Sequence, residues 1–164
     1  MDHLWTPWRM PYLRGDTSKP DHCIFCHKIN ADDDEAELVV FRSEHVYATL
    51  NRYPYNNGHL MIVPYAHVAT LEDLPVAAVA DLMRTAQEAH VALRAAYQPE
   101  GFNIGINIGP AAGAGIADHL HLHIVPRWSG DTNYMTVVGQ TRIIPDMLSD
   151  TYRQVRHAWP KRHA

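Results

Sequence analysis

The stretch that decides the fold is His119-Leu120-His121-Leu122-His123-Ile124-Val125-Pro126. Imidazole and aliphatic side chains alternate over its first six positions, the period of a strand in which residues two apart share a face. Leu120 and Leu122 are therefore expected to enter the core, while His119, His121 and His123 line one surface. Side chains two apart on a strand start about 6.6 Å from one another, and the outer pair about 13 Å. Metal–nitrogen bonds are only about 2.0 to 2.1 Å long, so three such rings do not readily hold one ion. At least one imidazole is left for another task. Three readings stand side by side: histidines on a half-exposed strand, a mononuclear His-x-His metal centre that activates a hydrolytic water, and a nucleophilic imidazole.

Upstream, Gly109-Pro-Ala-Ala-Gly-Ala-Gly115 is a turn-rich loop whose backbone amides, unobstructed at Gly113 and Gly115, suit an anion. It is no Walker A loop, because no Gly-Lys-Ser/Thr follows, and no dinucleotide fingerprint, because a strand and not a helix comes next. A plain hairpin loop would look similar. Together with a histidine-lined strand, the loop suggests attack on phosphorus.

Before the loop, Phe102-Asn-Ile-Gly-Ile-Asn-Ile108 alternates again, with Phe102, Ile104, Ile106 and Ile108 on an apolar back and Asn103, Gly105 and Asn107 on a small polar front. Apolar residues at Val79, Leu82, Met83, Ala86, Ala89, Leu93 and Ala96 keep a helical period over 74–97, with Pro75 in the first turn and Pro99 and Gly101 at the close. Residues 38–41 and 46–50 read as a hairpin around Arg42-Ser-Glu-His45, the segment 51–58 as a loop, and 59–64 as a third strand. Leu148, Tyr152 and Val155 give a short amphipathic tail helix within 145–164, and residues 1–22 read as an arm over the core. The run Asp32-Asp33-Asp34-Glu35 reads as a solvated loop with no basic partner nearby in sequence; acids at alternate positions around a Gly turn, as calcium requires, are absent. The expected fold class is α+β, with an antiparallel sheet of about five strands and one long helix in a single domain over 1–164.

With 164 residues, a hydrophobic content of 46% and a charged content of 20%, the composition is globular and leaves little room for a second module. No apolar run approaches the ~18 residues of a membrane span, and the amino terminus does not read as a secretion signal, so the cytoplasm is the expected address. A net charge of −4 argues against a nucleic acid polymer as partner. Twelve residues are His, the side chain that titrates, ligates metals and attacks phosphorus near neutral pH.

Cys23-Ile-Phe-Cys26-His27 admits several readings. As Cys-x-x-Cys-His it spells a c-type haem attachment, which belongs outside the cytoplasm. A thioredoxin-like pair needs a βαβ unit that is not visible here. Two unligated buried thiols are the plain alternative. Zinc fits the spacing best, with two further ligands needed for a closed tetrahedral site.

The segment His119-x-His121-x-His123-x-x-Pro-Arg-Trp128, with Asn51 and Gly58-His59 upstream, resembles the histidine-triad superfamily of nucleotide hydrolases and transferases, over about 23–128. Leu4-Trp-Thr-Pro-Trp-Arg-Met10 and Pro126-Arg-Trp-Ser-Gly-Asp-Thr-Asn133 are similar to the bacterial branch that contains diadenosine tetraphosphate (Ap4A) phosphorylases and hydrolases. The resemblance implies that His121 takes a nucleoside monophosphate as a phosphoramidate. It implies that His123 and His59 flank that ring, that Asn51 holds the ribose, and that Asn107 contacts phosphate or leaving group. Gly113, Gly115 and Trp128 are expected on the substrate. It also implies that Cys23, Cys26, His67 and His119 hold a structural zinc, and that two chains pair to extend the sheet. Ile116 departs from the pattern, standing where several relatives carry a Ser or Thr that helps the leaving group. An adenosine nucleotide is the expected substrate; a nucleotide-binding protein with little turnover is the alternative.

Overall fold

The computed structural model describes residues 23–132, 144 and 146–161, so the arm expected at 1–22 lies outside the described residues. The elements run α1 (Ile24–Ile29), β1 (Val39–Arg42), β2 (Val46–Leu50), β3 (Leu60–Pro64), α2 (Val76–Tyr97), β4 (Gly101–Ile106), β5 (Leu122–Arg127) and α3 (Leu148–Ala158). The strands form one antiparallel sheet in the order β1-β2-β3-β5-β4. The expected α+β class with five strands and a long helix is what the structure has.

Cross-strand pairing sorts the side chains into two faces. Leu50 opposes Leu60, Leu60 opposes Ile124, and Ala48 and Leu122 both oppose Ile62. This face packs on Ala78, Leu82, Ala86, Ala89 and Leu93 of α2 and on Tyr152 and Val155 of α3. Complete burial of a leucine such as Leu82 or Leu93 contributes about 1.5–3 kcal/mol. On the opposite face Val39, Tyr47, Met61 and Val63 surround Phe25, which α1 lays against the sheet. The sheet is therefore covered by the long helix on one side and by the Cys23–Cys26 segment on the other.

Several expectations need correction. β5 begins at Leu122 and not at His119, because Leu120 donates its amide to Val68 at 2.7 Å and the chain joins the ladder only afterwards. α2 is closed by Gln98, left-handed at φ 48°, which returns its amide to Arg94; Pro99 then cannot continue the helix. Met83, placed by its period on the inner face, is exposed. The apolar back of β4 is only partly covered: Phe102 and Ile106 pack on the core, while Ile104 is 50% exposed and Ile108, beyond the strand, is exposed as well. β4 is one of the two edge strands of the sheet, and α2 packs over β2 and β3. The acidic run does have basic partners: Asp34 pairs with Arg42 at 2.8 Å and with Arg156 at 3.6 Å.

Two tight contacts set the loops near the histidines. Gly58, at φ +71°, sits where a Cβ would lie 2.9 Å from a methyl of Leu93. Asn56 donates to the Pro126 carbonyl at 3.0 Å and to Asp131 at 2.9 Å, tying the β2–β3 loop to the end of β5. No helix among the described residues is long and apolar enough to cross a membrane.

Candidate active site and metal centre

The register places His123 between Met61 of β3 and Gly105 of β4. His121, two residues earlier, shares its face, and so does His59, two before Met61. The structure brings these three rings together: His59 to His123 at 5.1 Å and His121 to His123 at 4.7 Å between centroids. His59 is only 1% exposed and His121 5%, so neither lies on a solvent-facing surface.

Hydrogen bonds to groups with one possible role fix the tautomers. The Tyr55 amide donates to His59 Nδ1 at 3.0 Å, and the Asn51 side-chain amide approaches the same atom at 3.4 Å. His59 therefore carries its proton on Nε2 and donates it to His123 Nδ1, 2.9 Å away. His123 in turn keeps its proton on Nε2. His121 Nδ1 lies 2.9 Å from the His119 carbonyl oxygen, which can only accept, so Nδ1 is the protonated nitrogen and Nε2 holds a lone pair. Burial pushes the pKa of His121 down. Burial, followed by His123 and His121, pushes His59 down to about 3. His59 and His121 are thereby held neutral, and Nε2 of His121 carries a lone pair.

His119 is turned to a different task. Its Nε2 donates to the Pro64 carbonyl at 2.9 Å, which leaves Nδ1 as the lone-pair atom. That atom lies 3.3 Å from Cys23 Sγ and 3.6 Å from Cys26 Sγ, while His67 Nδ1 is 3.2 Å from Cys26 Sγ. The four donor atoms lie within 4.8 Å of one another. With Zn–S near 2.3 Å and Zn–N near 2.0–2.1 Å, the S···N edge of a tetrahedral site is about 3.6 Å. The four residues fit such an ion, and the Pro64 carbonyl supplies the outer hydrogen bond that orients a metal-ligating imidazole.

The other candidate residues are placed as follows. Asn51 caps its own loop, accepting from the Tyr53 amide at 2.9 Å, beside His59. Asn107 follows the end of β4, half-buried, two residues beyond the Gly105 that pairs with His123. Gly109 and Gly113, both at positive φ, shape the loop 109–115, with Gly113 and Gly115 exposed. Trp128 is not brought to the histidines: it follows the far end of β5, where its indole N–H donates to the Tyr97 carbonyl at 3.3 Å. Ile116 packs against the cluster formed by Phe25, Val39, Tyr47, Met61 and Val63.

Sequence reasoning missed two residues. Phe25 fills the space between the cysteines and the triad, and Tyr55 sets its ring 4.5 Å from His59, tilted at 45°, while donating its amide. Neither had a signal: Phe25 is hidden inside the Cys-x-x-Cys pattern, and Tyr55 acts through its backbone.

Residues 33–130 match the pattern of the HIT domain. The chain belongs to the HIT domain family. A protein of Mycobacterium tuberculosis (strain H37Rv) named AP-4-A phosphorylase is 44% identical over 167 residues, spanning 98% of this chain and 86% of that one. The bis(5'-adenosyl)-triphosphatase of Saccharomyces cerevisiae (strain YJM789) is 37% identical over 93 residues, 56% of this HIT protein and 45% of the yeast one. Among solved structures, a Zn-bound histidine triad family protein from Mycobacterium smegmatis superposes with a TM-score of 0.68 at 30% identity, covering 83% of this chain and 91% of that one.

Proposed function

We propose that this HIT protein is an enzyme that transfers a nucleoside monophosphate from a dinucleoside polyphosphate of the Ap4A type to His121, and from there to phosphate or water. The observation that carries the reading is the tautomer of His121. Its Nδ1–H is held by the His119 carbonyl, and Nε2 is left as a buried, neutral nucleophile. The names of the mycobacterial and yeast relatives support the substrate class.

Nε2 attacks the α-phosphorus, forming a P–N bond as the bond from that phosphorus to the bridging oxygen breaks. The remaining nucleotide departs with the electron pair. The His119 carbonyl stabilises the positive charge that develops on the ring, through the Nδ1–H it already accepts. His123, which accepts the His59 Nε2–H at its Nδ1, offers its Nε2–H to a phosphoryl or leaving-group oxygen. Asn51 takes the ribose hydroxyls, Asn107 the phosphate chain, and Gly113 and Gly115 further parts of the substrate. An oxygen of phosphate or water then displaces the imidazole, returning the lone pair to Nε2.

Zinc is the metal proposed for Cys23, Cys26, His67 and His119; when bound it neutralises the two thiolates and ties α1 to the turn before β5. A homodimer formed through β4 accounts for its open edge and exposed Ile104. Sedimentation at micromolar concentration tests it, with a monomer as the contrary result.

Ap4A incubated with and without phosphate decides the reaction. ADP plus ATP only with phosphate means phosphorolysis, and AMP plus ATP without it means hydrolysis. A second reading, nucleotide binding with little turnover, is favoured by Ile116, whose side chain offers no hydroxyl to a leaving group. Absence of products with retained binding would establish it.

A further inference from the structure

We infer that Phe25 is a positioning residue for the His121 nucleophile, and that the Cys23–Cys26 knuckle exists in part to hold it there. The inference rests on the proposed role of His121. One hydrogen bond fixes only one atom of a ring: with Nδ1 held by the His119 carbonyl, the His121 imidazole can still swing about that contact and sweep Nε2 off the line of attack. Two rings stop it. His123 lies on one side at 4.7 Å and 70°, and Phe25 on another at 5.0 Å and 47°.

Phe25 is itself immobilised. It is 1% exposed, its carbonyl accepts from the buried Tyr47 hydroxyl at 2.9 Å, and its ring also meets His119 edge-on at 5.4 Å. The cysteines on either side of it, Cys23 and Cys26, both reach His119 Nδ1. His119 thus acts on the nucleophile along two routes. Its carbonyl sets the tautomer of His121, and its side chain, through the cysteines, sets the seat of Phe25. The ring that bounds the nucleophile and Cys26 share one six-residue helix, and Cys23 is the residue that caps its start.

The test uses Phe25→Leu and, as a variant close in volume that keeps the core filled, Phe25→Met. Ile29→Ala serves as a control, because Ile29 packs on the same cluster. Three quantities are read: metal content per chain, the rate at which Ap4A forms an acid-trapped nucleotidyl adduct, and the ring-nitrogen resonances of His121. We expect both Phe25 variants to form the adduct about 10- to 100-fold more slowly, the range reached when a reacting group is misplaced by about an ångström. KM should change far less than the rate, metal content should match the parent, and the His121 resonance should broaden. Ile29→Ala should lower stability without slowing the adduct. A parental rate and a sharp His121 resonance in Phe25→Met would overturn the inference, as would an equal slowing in Ile29→Ala. If the parent forms no adduct, the proposed function fails, and the His121 resonance alone then decides whether Phe25 positions the ring.

Discussion

Acid should destabilise this protein through His59, and the size of the effect follows from its surroundings. The ring is buried, accepts from the Tyr55 amide and donates to His123, and has no neighbouring carboxylate among these contacts. Its pKa is lowered from 6.5 to about 3, first by burial and then by His123 and His121. Between those values the unfolded chain binds a proton that the folded chain refuses, so stability falls as pH drops, by up to about 1.4 kcal/mol per pH unit. From about pH 7 to about pH 4.5 the loss assigned to His59 is roughly 2–3 kcal/mol. Above the unfolded value the contribution is constant. The assay is urea denaturation at both pH values for the parent and for His59→Gln. Glutamine can still donate toward His123 but does not titrate. The metal cluster and other titrating groups are common to both proteins, so the quantity of interest is the difference between their two pH dependences. His59→Gln should be less stable at neutral pH yet lose roughly 2–3 kcal/mol less on acidification. Parallel curves, differing by less than about 0.5 kcal/mol in their pH dependence, would show that the ring is not held neutral by burial.

The remaining predictions concern other parts of the fold. Purified protein should contain close to one zinc per chain, and retention of that zinc by the Cys23→Ala/Cys26→Ala double variant would rule the centre out. Gly58→Ala should destabilise by roughly 1–3 kcal/mol, since it combines a left-handed backbone with a 2.9 Å contact to Leu93; thermal melting at the parental midpoint would contradict this. Asp81, buried in α2, accepts from the Ser43 hydroxyl at 2.6 Å, the His45 amide at 2.9 Å and Arg84 at 2.9 Å. Asp81→Ala strands the Ser43 and His45 donors at the β1–β2 turn and should lower stability by about 2–4 kcal/mol in urea titration, whereas a change within about 0.5 kcal/mol would show the turn to be held otherwise. His121→Asn should form no nucleotidyl adduct while still binding nucleotide; full activity would remove His121 from the mechanism.

The strand pattern was legible because each strand alternates or is bounded by turn residues, and the long helix because its inner face repeats at 3.6. What alternation does not report is whether a face is covered. Ile104 follows the same period as Phe102 and Ile106, yet it is half exposed because β4 is an edge strand and α2 packs two strands away. Alternation also does not report where a ladder starts. His119 and Leu120 carry the strand pattern, but their backbones bond to His121 and Val68, and β5 begins only at Leu122. The Asp34–Arg42 pair was hidden for a simpler reason: the turn that precedes β1 folds back along the strand and brings together charges that the chain separates by eight positions.

The site divides in the same way. Spacing alone argued that three alternating imidazoles on a strand do not readily share an ion, and the structure supplies the local reason: His119 leaves the strand to face Cys23 and Cys26 while its carbonyl stays behind to hold His121. His67 carried no signal of its own and entered only through the family resemblance; the fold then brings it within 3.2 Å of Cys26 across 41 residues. Ile116 shows the converse. At the sequence level it is a missing hydroxyl. In the structure it packs on the cluster that contains Phe25, so a serine there would give up apolar contact with that cluster in exchange for a hydroxyl. The two effects oppose one another: the hydroxyl can raise the rate only if Phe25 stays in place. An Ile116→Ser variant that gains turnover without losing the sharp His121 resonance would place leaving-group activation and ring positioning on separate residues, and one that loses both would join them.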